Sequence, residues 1–266
     1  MRNLLRARGR DKAAAPSIPP GQRVYAVGDV HGRLDLFTPL MARIEQDDAD
    51  RGPAETTIVL LGDLIDRGPD SAAVVAAARA LAARRRVRLL TGNHEEMLLR
   101  AMNEADVLRP FLRHGGRETL LSYPLDPHLL DTADDYEVIR LAMRTAIPAD
   151  DIAYLEQGEA MVRIGDYLFV HAGIQPGVAL DAQSEHDLRW IRQPFLSHAG
   201  DHGCVVVHGH TIAEDVEVRA NRIGIDTGAF YTGRLTALAL EGTSRWLIET
   251  RVDPDGGVSC HSRSVE

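Results

Sequence analysis

From residue 23 onward the chain repeats one pattern: a short apolar run, a glycine, then a knot of polar residues. The runs are RVYAVGDVHG (23–32), TIVLLGDLIDRG (57–68), VRLLTGNHEE (87–96), YLFVHAG (167–173), CVVVHGHT (204–211) and IGIDTGAF (223–230). Positions that are apolar consecutively, rather than alternately, mark strands covered on both faces. Between the runs, residues 34–46, 70–84 and 94–103 carry helical periodicity. Residues 105–160 read as a longer, mostly helical excursion with turns at HGG and SYPLDP. Alternating strand and helix predict an α/β core. In such sheets ligands gather at the carboxyl ends of the strands, where these polar knots fall. Residues 1–20, rich in Arg, Ala and Pro, read as a mobile tail, which leaves 21–266 as a single domain.

Composition narrows the class. A chain of 266 residues that is 44% hydrophobic and 26% charged is an ordinary globular protein with room for a substantial core. Its net charge of −9 argues against a nucleic-acid or anionic-membrane partner. The basic residues are arginines apart from Lys12. Cys204 and Cys260 are too few for a disulfide framework, and Cys204, beside three valines, reads as a small core residue. These features fit a reducing, cytoplasmic setting. No apolar run approaches the roughly 20 residues of a membrane helix, and MRNLLRARGR is not followed by the apolar segment of a signal peptide.

The polar knots carry the chemistry. In chain order they present Asp29 and His31, Asp63 and Asp66, Asn93 and His94, then His171, and last His208 with His210. Carboxylate and imidazole donors without thiolate suit Mn, Fe or Zn. They outnumber what one ion needs, which points to two neighbouring cations with a carboxylate such as Asp63 between them. Asn93 then has a use, because an amide oxygen can coordinate without adding negative charge. Each knot alone is weak evidence; five in this order are strong. Other polar residues have plainer readings. Asp226 stabilises a turn with Gly228, Glu95 and Glu96 open a helix where negative charge suits the dipole, and His114 sits in a loop or helix end.

On these segments the chain resembles the calcineurin-like metallophosphoesterases, and within them the serine/threonine phosphoprotein phosphatase branch, especially its small bacterial and phage members. The resemblance is carried by GDVHG (28–32), GDLIDRGPDS (62–71), GNHEEML (92–98), HAG (171–173), GHT (209–211), DTGAFYTGRLTAL (226–238) and DLRWIRQPFL (187–196). It implies a two-layer β-sandwich flanked by helices. It further implies that Asp29 and His31 hold a first metal, Asp63 bridges, and Asn93, His171 and His210 complete a second. His94 would be the general acid, oriented by Asp66, with Arg67 and Arg192 binding phosphoryl oxygens. The cations would be Mn²⁺, with Fe or Zn as alternatives. Ile212 stands where other branches place a further histidine ligand. His208, two residues before His210, would share its face if the strand stays regular.

The expected reaction is direct hydrolysis of a phosphate ester. Two cations that share a water can lower its pKa toward neutrality, and His94 can protonate the departing oxygen. Neither cysteine is placed to be a nucleophile. The leading expectation is a serine/threonine protein phosphatase acting on phosphoproteins, tilted that way by the Trp-Ile-Arg segment. The alternative is a symmetrical dinucleoside tetraphosphatase, whose motifs overlap with these. A binding protein on a decayed site is disfavoured, because every expected ligand is present.

Overall fold

The apolar runs become strands of two stacked sheets. In a computed structural model, which describes residues 15–132 and 135–265, the first part alternates as expected. It runs β1 (Gln22–Val27), α1 (Leu34–Asp50), β2 (Glu55–Leu60), α2 (Ser71–Ala82), β3 (Val87–Leu89) and α3 (Asn93–Ala101). The helical excursion follows as α4 (Ala105–Phe111), a π-helical turn (Leu112–Gly116), α5 (Arg117–Ser122), α6 (Pro127–Thr132), α7 (Tyr136–Ala146) and α8 (Ala149–Glu156). Next come β4 (Met161–Ile164), β5 (Tyr167–Val170), α9 (Glu185–Trp190), β6 (Val205–His208), β7 (Glu217–Val218), β8 (Arg222–Gly224) and α10 (Ala229–Thr232). The chain closes with β9 (Arg234–Glu241), β10 (Ser244–Val252) and β11 (Val258–Ser264).

One sheet has the order β11-β10-β9-β1-β2-β3 and the other β4-β5-β6-β8-β7. β1, β2 and β3 pair in parallel, whereas β9, β10 and β11 form an antiparallel meander joined to β1. Strand alternation explains the consecutive apolar positions. Val24 and Ala26 face the second sheet and pack with Phe169, Val207 and Ile223. Their neighbours Tyr25 and Val27 face outward and pack under α1 and α2, with Leu40, Ile44 and Val75. A third apolar layer, with Val170, Leu188, Phe195 and Val206, covers the far side of the second sheet. The result is the two-layer sandwich flanked by helices that the motifs implied.

The expected tail reached residue 20, and its described part is fastened. Ile18 is buried among the inter-sheet residues and its N–H donates to Gly242 O at 2.8 Å. Apolar burial plus a backbone bond holds this stretch, so any free tail must end before it; residues 1–14 lie outside the described ones. Among the described residues, no helix is long and apolar enough to cross a membrane.

Candidate metal centre

The loops after β1, β2, β3, β5 and β6 converge at one edge of the sandwich. Asp63 is their hub. Its backbone O accepts from Val30 N–H and His31 N–H, at 3.0 and 2.9 Å. Its Oδ1 accepts from His94 N–H at 3.1 Å. At Gly92 a Cβ would stand 2.2 Å from that same oxygen, so glycine is required for the approach of the two loops. At Gly209 a Cβ would stand 2.0 Å from Asp29 Oδ1, for the same reason.

Backbone conformation marks the same place. Among the described residues, five non-glycine positions have positive φ: His31, Asp63, Asp66, Arg67 and His210. All five are candidates named from sequence. Left-handed backbone disfavours side chains with a Cβ and is tolerated where surrounding structure over-determines it. Here it turns successive side chains back toward one centre.

Two clusters result, each with donor atoms within 4.8 Å of one another: His31, Asp63 and His94, and Asp63, His171 and His210. Asn93 joins the second, its Oδ1 lying 3.0 Å from His171 Nε2 and 2.8 Å from His210 Nδ1. Asp29 stands at the rim, buried, with its carboxylate accepting from His210 N–H at 3.0 Å. The structure thus brings together every ligand expected from sequence, with Asp29 engaged by the His210 loop rather than by either cluster.

The chemistry of the donors fits cations. His171 Nδ1 lies 2.8 Å from Leu61 O and so carries the proton, which leaves Nε2 a bare lone pair. That lone pair faces the Asn93 amide oxygen at 3.0 Å and Asp63 Oδ1 at 3.5 Å. Three acceptors aimed at one another without a proton need a positive centre among them. His31 is held by the same kind of backbone contact: Nδ1 donates to Ile65 O, while Nε2 accepts from Arg67 and faces Asp63 Oδ2 at 3.6 Å. Burial pushes His31 down to about 3 and His210 down to about 3, and it lowers His171. All three are therefore neutral imidazoles rather than imidazolium ions, the form in which histidine can bind a cation. Burial works against ionised Asp63, but His171, His94 and His31 outweigh it and hold the carboxyl well below its usual range.

His94 is bound differently. Its Nδ1 lies 2.6 Å from Asp66 Oδ2 and its Nε2 lies 3.0 Å from Arg67. Burial alone would discharge it, yet Asp63 and the Asp66 hydrogen bond raise it above an ordinary histidine. Burial also raises Asp66. Arg67 spans His31 and His94, with its second nitrogen 2.9 Å from His31 Nε2, and its guanidinium lies 4.7 Å over the Phe230 ring. Arg192 remains exposed, with no side-chain hydrogen bond or ion pair among the described residues.

Three supports escaped the sequence reading. Glu95 does begin α3, but its carboxylate also accepts from Asp63 N–H, Leu64 N–H and Gly92 N–H at 2.8, 2.8 and 2.9 Å. It ties the β2 and β3 loops together. Thr119 on α5 donates its hydroxyl to Asp66 Oδ1 at 2.6 Å and accepts Asp66 N–H at 2.8 Å. Glu96 accepts from Trp190 Nε1 at 3.2 Å, which anchors the Trp-Ile-Arg segment.

The plainer readings fare as follows. Asp226 Oδ1 accepts from Gly228 N–H at 2.9 Å, the expected turn contact. His114 is exposed and bonded through Nδ1 to Pro110 O. His208 does not share the face of His210, because β6 ends at His208 and His210 is left-handed. Its ring packs on Phe195 instead, at 5.1 Å between centroids.

A family model described as calcineurin-like phosphoesterase matches residues 22–229. The chain is 27% identical over 265 residues to a symmetrical bis(5'-nucleosyl)-tetraphosphatase of Chromohalobacter salexigens, covering 81% of this chain and 94% of that protein. It is 30% identical over 233 residues to serine/threonine-protein phosphatase 1 of Salmonella typhimurium, covering 83% and 93%. A crystal structure of a candidate diadenosine tetraphosphatase superposes with a TM-score of 0.61 at 22% identity, covering 94% of this chain and 98% of the other.

Proposed function

The chain belongs to the calcineurin-like phosphoesterase family, and from that premise we propose that it hydrolyses a phosphoanhydride, in the manner of a dinucleoside tetraphosphatase, with His94 as general acid. The observation that carries the acid assignment is the Asp66–His94–Arg67 chain beside Asp63. Asp29 and His31 with Asp63 would hold one divalent cation, and Asp63, Asn93, His171 and His210 a second. When bound, such ions (Mn²⁺ first, Fe or Zn as alternatives) supply Lewis acidity for phosphoryl oxygens and acidify a water.

The remaining tasks fall to this chain's own side chains. Arg67 and Arg192 bind the phosphoryl oxygens, whose charge must be neutralised as the bond breaks. Asp66 fixes the His94 tautomer, so that Nε2 faces the departing oxygen. Thr119 holds Asp66, and Glu95 holds the loop of Asp63.

A serine/threonine protein phosphatase is the second reading. It is favoured by the anchored Trp190-Ile191-Arg192 segment and by similarity to a protein of that name. The anhydride reading is preferred because of a positively charged cleft beside Arg67, described below. The deciding assay compares diadenosine tetraphosphate with a phosphoserine peptide on Mn²⁺-loaded protein. A higher kcat/KM on the dinucleotide is expected. A higher value on the peptide would transfer the conclusion to the second reading, and turnover of neither would overturn both.

A further inference from the structure

Beside Arg67 the site opens into a cleft of about 620 Å³, whose lining includes Arg113, Arg117, Ile212 and Phe230. Glu118 is its acidic lining residue. The wall that carries Arg113 is the π-helical turn Leu112–Gly116, within which Gly115 breaks helical geometry at φ 107°. That turn is locked to the site, because Arg67 N–H donates to Gly115 O at 3.1 Å and a Cβ at Gly115 would meet Arg67 N at 2.6 Å. Arg67 and Arg113 therefore belong to one fixed unit, the first facing the metal ligands and the second facing the cleft.

The two cleft arginines differ in what they have left to bind. Arg117 is paired with Asp131 at 2.6 Å. Arg113 is exposed, and its side chain has no hydrogen bond or ion pair among the described residues. We propose that Arg113 binds the phosphate adjacent to the one held at Arg67, so that the cleft receives the leaving group of a phosphoanhydride. The charge of the leaving group is the reason. A serine or threonine alkoxide, once protonated, leaves neutral and has no use for a second guanidinium. A departing phosphate keeps its negative charge, and arginine is the side chain suited to it.

The step balances. Water oxygen bonds to the phosphorus at Arg67, and the P–O bond to the bridging oxygen breaks. That oxygen leaves with the bonding pair on the phosphate at Arg113 and takes its proton from His94, which the proton released from water restores.

This inference rests on the hydrolase reading, so its test has one arm that needs no turnover. In that arm, calorimetry measures inorganic diphosphate and inorganic orthophosphate binding to the metal-free protein. Wild type should prefer diphosphate about tenfold, equivalent to roughly 1.4 kcal/mol, and Arg113→Ala should remove the preference. In the kinetic arm, Arg113→Ala should lower kcat/KM on diadenosine tetraphosphate about tenfold more than on p-nitrophenyl phosphate, with Arg113→Lys recovering part of the loss. An unchanged diphosphate preference, or equal falls on both substrates, would overturn the assignment. A larger loss on a phosphoserine peptide would overturn it too, by placing an acidic peptide in the cleft. If wild type turned over none of these compounds, the hydrolase reading would fail while the binding arm still decided the role of Arg113.

Discussion

Asp66 Oδ2 and His94 Nδ1 lie 2.6 Å apart in a fully enclosed setting, and the other ring nitrogen of His94 is thereby directed at Arg67 and the site. This separates His94 from His31 and His171, whose protonated nitrogens are held by the backbone carbonyls of Ile65 and Leu61 and whose lone pairs face Asp63. His94→Asn should retain both cations and lose turnover by about 10²–10⁴-fold. Metal content by elemental analysis, read beside kcat on an alkyl phosphate, checks it. Loss of a cation along with activity would mark His94 as a ligand.

Asp63 contributes one oxygen to each cluster, at 3.6 Å from His31 and 3.5 Å from His171. Asp63→Asn is therefore expected to release metal and abolish activity together. Chelation of wild type should do the same, reversibly on adding Mn²⁺. A variant that kept two ions per chain would contradict the shared position.

Thr119 is the test of indirect positioning. Thr119→Val removes the hydroxyl that both donates to Asp66 Oδ1 and accepts its N–H. The stability cost should be about 1–3 kcal/mol, since a buried N–H and a carboxylate each lose a partner. The kcat on an alkyl phosphate should fall about tenfold, with KM and metal content nearly unchanged. Full activity in a folded variant would show that Asp66 needs no such support.

Glu95 predicts a larger structural effect. Burial, reinforced by Asp63, pushes its carboxyl up to about 7, and three loop N–H groups terminate on it. Glu95→Ala leaves those donors unpartnered and should cost roughly 3 kcal/mol or more, seen as a fall in Tm. The metal-free protein should show the same fall, because the contacts are independent of cations.

At the far edge of the second sheet, a hydrogen bond from Arg222 and the nearby Arg219 hold Glu217 down to about 2, against an ordinary value of 4.5. A depressed carboxylate adds stability above its unfolded pKa and loses it as pH falls through the folded one. The contribution is therefore complete above pH 4.5 and disappears toward pH 2. Partial exposure keeps it small. Glu217→Gln should flatten the acid limb of a stability–pH curve in that window and leave it unchanged near neutrality.

The strand–helix alternation of β1 to α3 was legible because consecutive apolar positions and terminal glycines have local causes. The candidate ligands were legible because Asp29, Asp63, Asn93 and His210 directly follow such a glycine, while His31 and His171 lie within three residues of one. The closing strands β9 to β11 were not read: RLTALALE and SRWLIETRV carry no polar knot, and only pairing of β9 with β1 reveals their place. Thr119 is hidden for a related reason, since its partner lies 53 residues away. His208 misleads because spacing alone presumes a regular strand, whereas the backbone reverses hand at His210.

The five left-handed residues set a limit on how this protein can adapt. Glycine at Arg67 or His31 would relieve local strain at those positions, but it would remove the side-chain contacts to Ile65 O and His94 made there. A lineage that accepted the exchange would give up the candidate chemistry of the site for a local gain. Thermal hardening of this fold must therefore be sought in the helical layers and the closing meander, away from the edge where the loops converge.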